Sequence, residues 1–558
     1  MRLVSLTKVF GNARGISLVD LEVHASQVFG FLGPNGAGKS TTIRLMMGLY
    51  LPTAGRAQLF GLDAHRQGPD VRRRVGYLPG ELALYPRLTG RETLDRIARM
   101  RGGVDPGFRS GLEERFGAEL DRPVRTLSKG NRQKIGLIAA FMPDPELLVL
   151  DEPTSGLDPL LQREFAELLE ESVARGRTVF LSSHDLAEVQ RLAHRVAIIR
   201  EGHLVALDTV EALRARHREP SSSLSETRST RARSAGWRGL TSSRRQRVVP
   251  RSGSRVRSAP CLRQPSRSAW SMCRPAPPTW MSSSSATTPN PTECRAMSAD
   301  VALLDLRLRR RSVLAYSIGL AAYTLLIVAL YPSFKHDTAI DELTRSKPTL
   351  SALFGATGSL TTPAGWMNAN LCANLLPLFA LLMTIGYGAA AIAGQDEEGT
   401  LGGIAGLPLT RGQLLAEKVL ALAAMSLPVP VVSLAATLAG RGFDVDLPLS
   451  ALLQTTLLAS GMAFDYGLVA VAIGAWTGRR GTALGITVAL AAAAYVVSSM
   501  APVVSWVHHL RYASPIYWSV GANQIHDGAT LLGACLLVLL SAVASGLAYA
   551  GLRRLDIH

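Results

Sequence analysis

Cysteine is scarce in this chain: five in 558 residues, at Cys261, Cys273, Cys294, Cys372 and Cys535, with no Cys-x-x-Cys pair. That excludes a disulfide-stapled fold and a cysteine-built zinc or redox centre, and makes a reducing cytoplasm the default surroundings. No cleavable leader precedes Met1-Arg2-Leu3, so a cytosolic first domain followed by internal membrane spans is expected. Lysine is missing from 221–296, where fourteen arginines face only Glu226 and Glu293 and supply most of the net charge of +17. Aromatic residues are too sparse among those arginines to stack on bases, so a nucleic-acid partner is not expected. The segment is rich in Ser and Pro and has neither helical nor strand periodicity, which predicts a disordered linker over 219–296.

What is present is concentrated in two regions of different physics. The 47 % hydrophobic content is ordinary in the first half and very high after Ser312. In the first half, Gly33-Pro34-Asn35-Gly36-Ala37-Gly38-Lys39-Ser40-Thr41 follows the apolar run 28–32. A triphosphate must be wrapped by backbone N–H groups, and glycines let the main chain come close enough. Lys39 is expected across the β- and γ-phosphates, Ser40 on Mg²⁺, and the helix from near Thr41 with its positive end toward the phosphates. The run Leu147-Leu148-Val149-Leu150-Asp151-Glu152-Pro153 reads as a buried strand. Its Asp151 would hold Mg²⁺ and its Glu152 would serve as general base for the attacking water. Binding and hydrolysis of a nucleoside triphosphate are the expected chemistry.

With Thr154-Ser155-Gly156-Leu157-Asp158 and Leu127-Ser128-Lys129-Gly130-Asn131-Arg132-Gln133, residues 1 to about 215 resemble an ATP-binding-cassette (ABC) domain from end to end. Lys129 and Asn131 depart from the commonest signature sequence. The resemblance implies that Ser128 and Gly130 touch the γ-phosphate held by a second cassette, that Asp158 lies on the loop connecting the two sites, and hence that the chain works as a dimer of half-units, a homodimer being the simplest. It also implies that His184, after the strand 178–182, contacts the γ-phosphate and catalytic water, and that Phe10 stacks on adenine. Where the family carries a glutamine contacting metal and membrane domain, this chain has Val75-Gly76-Tyr77-Leu78-Pro79-Gly80-Glu81, so Glu81 or a backbone carbonyl is the expected substitute.

Related cassettes end in an accessory segment with a motif like Leu-Glu-Glu-Leu-Phe-Leu-Arg-Tyr-Tyr, which is missing here. The chain reads Thr279-Trp280-Met281-Ser282-Ser283-Ser284-Ser285-Ala286-Thr287-Thr288 instead. One permitted codon choice, ACC TGG ATG AGC TCT TCC TCC GCT ACT ACG, read from the last base of each codon gives Leu-Asp-Glu-Leu-Phe-Leu-Arg-Tyr-Tyr. We therefore advance the hypothesis that 219–296 is an out-of-frame translation joining two coding regions, with Met297 the second start. A native single frame in the genomic reads, with codon usage like its flanks, removes it.

The second half, 297–558, contains apolar stretches near 312–331, 371–393, 415–439, 450–476, 481–504 and 529–551. Each is long enough, at about 20 residues, to cross a ~30 Å hydrocarbon layer. The fold class expected is thus an α/β P-loop cassette (1–218) followed by an all-α, six-helix transmembrane domain. Arg307, Arg309, Arg310, Arg311, Arg411, Lys418, Arg479, Arg480, Arg553 and Arg554 flank alternate spans, which predicts that those loops, both termini and the cassette are cytoplasmic. The loop 332–370 and the segment 506–527, with Tyr512, Tyr517 and Trp518, then face outward. Asp396-Glu397-Glu398-Gly399-Thr400-Leu401, with Pro408-Leu409-Thr410-Arg411, resembles the cytoplasmic element of type 2 ABC exporter permeases that carries force from cassette to membrane. Asp465, inside the fourth span, is a candidate for cationic cargo, a proton or a neighbouring span.

The resemblance of Tyr77-Leu78-Pro79-Gly80-Glu81 and Leu84-Tyr85-Pro86 to antibiotic-resistance exporters implies ATP-driven efflux of lipophilic drugs or polyketide-like antibiotics through the cytoplasmic membrane. A membrane sensor ATPase and a lipid or polysaccharide exporter are the competing expectations. A soluble cassette ATPase acting on ribosomes would carry two cassettes and no spans.

Overall fold

The structure, a computed structural model, describes residues 1–11, 13–212, 214, 299–336, 359–501, 504–521, 528 and 530–558. The expected linker 219–296 and most of the outward loop 337–358 lie outside the described residues.

The N-terminal part is an α/β cassette. Its main sheet has the order β10-β9-β3-β8-β7-β6, formed by β3 (Val28–Leu32), β6 (Val75–Leu78), β7 (Leu147–Asp151), β8 (Thr178–Ser183), β9 (Arg195–Arg200) and β10 (His203–Thr209). All neighbours are parallel except β9 and β10. Every residue of β3 and β7 is buried, as strands with both faces covered must be. Phe180 stacks on Phe29 at 5.8 Å and packs on Phe31 at 5.4 Å, tying β3 to β8. A second, antiparallel sheet runs β2-β1-β4-β5, from β1 (Arg2–Phe10), β2 (Ala13–Glu22), β4 (Ala54–Leu59) and β5 (Leu62–Asp63).

Helices are set by local signals. In α3 (Gly90–Arg101), Thr89 and Glu92 form a reciprocal capping box and Gly102 closes the end in the left-handed region. Ser128 caps α5 (Lys129–Phe141) and Asp158 caps α6 (Pro159–Ala174).

Among the described residues, the C-terminal part has six helices long and apolar enough to cross a membrane: span 1 (Asp300–Phe334), span 2 (Pro363–Glu397), span 3 (Arg411–Phe443), span 4 (Leu449–Thr477), span 5 (Arg480–Met500) and span 6 (Leu531–Arg554). The number agrees with the hydropathy reading; spans 1 to 4 outrun their expected windows at both ends, while span 5 stops at Met500, short of the expected 504. Span 1 starts twelve residues before 312 because 300–311 continues helically through its arginines. The proline pair at 428 and 430 does not end span 3. The helix stops at Ser426 and restarts with Pro428 in its first turn, where no N–H is needed. Span 2 contains π-turns at Asn368–Cys372 and Ala390–Gly394.

One expectation is corrected. Lys418 is not a loop cation but a fully buried residue of the span 3 helix, its Nζ 2.8 Å from Asp305 Oδ2 and 2.7 Å from Gln395 Oε1. Tyr387 OH donates to the same Asp305 oxygen at 2.7 Å. A lysine so neutralised adds nothing to the positive-inside count. Asp465 touches a neighbouring span: buried in span 4, it accepts a hydrogen bond from Ser541 of span 6.

Candidate nucleotide site and its link to the membrane domain

β3 delivers the chain into the loop 33–38, and α1 (Lys39–Met46) leaves it. Gly38 has φ +105°, and a side chain there would also drive a Cβ to 2.6 Å from Ile16. A Cβ on Gly33 would meet Ile199 O at 2.5 Å. Two of the three glycines are therefore needed for close approach, whereas Gly36 (φ +77°, with open space around it) is needed for backbone conformation alone. Pro34, Asn35 and Ser40 are exposed, Thr41 is half-buried, and Ala37 is buried beneath the loop.

Lys39 is 6 % exposed; its Nζ donates to Gly33 O at 2.6 Å and stands 3.2 Å from Glu152 Oε1. Glu152 follows β7 with φ +50°, a left-handed conformation unusual for this residue, and its Oε2 is 2.6 Å from His184 Nδ1. Asp151 is buried at the strand end and accepts from Ser182 Oγ of β8. Lys39, Asp151, Glu152 and His184 thus converge on the mouth of the loop.

Ser128, Gly130 and Asp158 form a separate cluster. A Cβ on Gly130 would come 2.7 Å from Gly156 O, and Lys129 Nζ donates to Ser155 Oγ at 3.0 Å. Ser128 and Asp158 spend their side chains as helix caps, accepting from Asn131 N at 3.1 Å and from Leu160 N and Leu161 N at 3.0 Å. Phe10 is half-buried edge-on to Tyr50 at 5.5 Å, with Lys8 Nζ 5.1 Å from its ring centre.

The sequence reading missed the parts played by two residues, Gln133 and Arg72. Gln133 Nε2 donates to Pro153 O at 2.9 Å, fastening the signature helix to the loop after Glu152. At the missing glutamine, it is the main chain of Gly80 that lies against the acid: a Cβ there would be 2.9 Å from Asp151 Oδ2. Glu81 lines a cavity of about 270 Å³ with Arg44, Tyr77, Tyr85, Arg101 and Asp396.

Arg72 is the second. The residue is 6 % exposed, and its guanidinium donates to Leu407 O at 2.9 Å, Leu409 O at 2.8 Å and Met47 O at 3.1 Å. Burial, with Arg411 nearby, pushes its pKa down to about 10, so it stays charged at neutral pH. Leu407 and Leu409 belong to the stretch between spans 2 and 3 that includes the short helix Thr400–Ala405, while Met47 caps the end of α1 in the cassette. On that stretch a Cβ at Gly406 would reach Tyr77 at 3.0 Å and one at Gly399 would reach Ala83 at 3.2 Å. Nothing in hydropathy or spacing marks Arg72, because its partners are backbone oxygens, two of them more than three hundred residues away.

A P-loop cassette with a carboxylate and histidine at the loop's mouth, joined through buried arginine to a six-helix membrane body, defines an ATP-hydrolysing membrane transporter. Two family models match the chain: ABC transporter over residues 16–155, and ABC-2 family transporter protein over residues 299–545. The bacitracin transport ATP-binding protein BcrA of Enterococcus faecalis is 36 % identical over 221 residues, which is 38 % of this chain and 71 % of that protein. The daunorubicin/doxorubicin resistance ATP-binding protein DrrA of Streptomyces peucetius is 37 % identical over 214 residues, 38 % of this chain and 65 % of that protein. Among solved structures, that of the ATP binding subunit of an ABC transporter matches at 31 % identity with TM-score 0.36, covering 39 % of this chain and 92 % of that one. The chain belongs to the ABC transporter family, with cassette and multi-pass membrane domain in one polypeptide.

Proposed function

We propose that this chain is a half-unit of an ATP-driven exporter of lipophilic compounds, drugs or polyketide-like antibiotics, across the cytoplasmic membrane. Two copies bury two ATP molecules between their cassettes. Residues 33–41 cradle the phosphates, Phe10 stacks on the base, and Ser128, Gly130 and Asp158 complete the partner's site. Glu152 takes a proton from the attacking water, and His184, hydrogen-bonded to it, positions that water against the γ-phosphate. Ser40 and Asp151 are hard oxygen donors of the kind Mg²⁺ takes, and Asp151 is fixed by Ser182. The ion, when bound, neutralises phosphate charge there. The cassette and the arginine-flanked span ends lie on the cytoplasmic side.

The observation that carries this reading is the continuity of Lys39, Glu152 and His184 with a cassette that grips the 395–411 stretch through Arg72. ATP closes the cassette pair because it binds the closed form better, and that difference is all it can contribute to moving the spans. The relatives' printed names, bacitracin transport and daunorubicin/doxorubicin resistance, favour a lipophilic antibiotic as cargo. Inverted membrane vesicles test this: ATP should drive uptake of a lipophilic dye, and Glu152→Gln vesicles should take up none. ATP hydrolysis without movement of dye, daunorubicin or bacitracin would instead favour a sensor.

A further inference from the structure

Span 6 does not finish at the membrane. Beyond Arg554 the chain is extended, and its next residues are all held by the cassette and by the stretch between spans 2 and 3. Leu555 O accepts from Arg411 Nη1 at 2.8 Å, and the same guanidinium donates to Leu49 O at 3.1 Å. Asp556 bridges to Lys8 Nζ at 2.5 Å and accepts Leu51 N–H at 2.9 Å. Ile557 is 1 % exposed, and its N–H donates to Leu49 O at 3.2 Å. His558 donates its N–H to Asp396 Oδ1 at 2.7 Å, with Nδ1 3.1 Å from Oδ2, and lies edge-on to Tyr50 at 5.5 Å.

Two features make these contacts mechanical. Tyr50 packs edge-on with both His558 and Phe10, each at 5.5 Å, so a continuous chain of ring contacts runs from the proposed base-stacking residue to the strap. Asp556 stands two residues after the last helical turn, and at about 3.5 Å per extended residue so short a link cannot absorb a displacement. Span 6 is a 24-residue rod that meets span 4 through Trp476 Nε1 donating to Leu547 O at 2.8 Å and through the Asp465–Ser541 bond.

We propose that residues 555–558 are a second transmission strap, which couples the base-binding edge of the cassette directly to span 6, in parallel with the 395–411 stretch. Asp556 and Lys8 are its positioning pair, and the charge-assisted bond between them carries the pull. The proposal rests on the exporter reading above.

The test uses the full chain in lipid and reads Cys535, an exposed residue one turn into span 6 and about 30 Å along the helix from Arg554. Maleimide labelling of Cys535 is followed by peptide mass spectrometry, with and without a non-hydrolysable ATP analogue. The analogue should change the wild-type labelling rate by about fivefold or more. Asp556→Ala should abolish that change while analogue affinity stays within about twofold. Lys8→Met, which removes the bridge from the cassette side, should do the same and serves if Asp556→Ala misfolds. A normal Cys535 response in either folded variant overturns the strap, as does a wild-type chain that binds the analogue with Cys535 unmoved. A wild-type chain that binds no nucleotide overturns the exporter reading itself.

Discussion

Glu152 is the residue on which the proposed chemistry turns, since its carboxylate, on a left-handed backbone, meets Lys39 with one oxygen and His184 with the other. Glu152→Gln keeps the size and the hydrogen-bonding reach but cannot accept a proton. ATP turnover should fall by about 10²–10⁴-fold while equilibrium binding of a fluorescent ATP analogue survives. Equal loss of binding and turnover would make the residue structural. Arg72 works differently, by holding three carbonyls in a planar fork. Lysine keeps the charge and loses the fork, so Arg72→Lys should lower dye moved per ATP by about tenfold or more with basal hydrolysis retained. Unchanged stoichiometry would remove Arg72 from coupling. The grouping of the loop glycines with Asp151 and Glu152 was legible in the sequence because a glycine-rich loop after one apolar run and two acids at the end of another are patterns of consecutive residues. Arg72, Gln133 and Asp556 were not, because each acts on main-chain atoms or on a residue brought near only by the tertiary fold.

At the scale of elements, the hydropathy windows found all six spans but set several edges short. Helical continuity does not stop where charge begins: Arg307 in the polar start of span 1 pairs with Glu92 of α3, so the helix doubles as a docking surface for the cassette. The same region holds the buried knot of Asp305, Lys418, Tyr387 and Gln395, which joins spans 1, 2 and 3. Hydropathy counts Lys418 as a boundary marker, since it sees no partner for the charge. Removing Lys418 leaves the buried Asp305 charge uncompensated, so Lys418→Met should destabilise the membrane domain by about 3–5 kcal/mol, seen as a lower melting temperature in detergent. Asp305→Leu combined with Lys418→Met should recover most of it. A double variant no more stable than Lys418→Met would mean that the knot is held by something other than this ion pair.

Across the whole molecule, the proposed catalytic residues fall into two groups. Lys39, Asp151, Glu152 and His184 gather at the phosphate loop, whereas Ser128, Gly130 and Asp158 gather around the 155–158 loop, as two cassettes exchanging halves would require. This division was readable only through the family resemblance, because a single sequence does not distinguish a residue serving its own site from one serving a partner's. The most direct measurement is ATP hydrolysis by purified chain in lipid nanodiscs loaded with either one copy or two. The account predicts turnover per cassette at least about tenfold higher in two-copy discs, given that each site lacks its partner's half otherwise. Equal turnover per cassette in one-copy discs would contradict it.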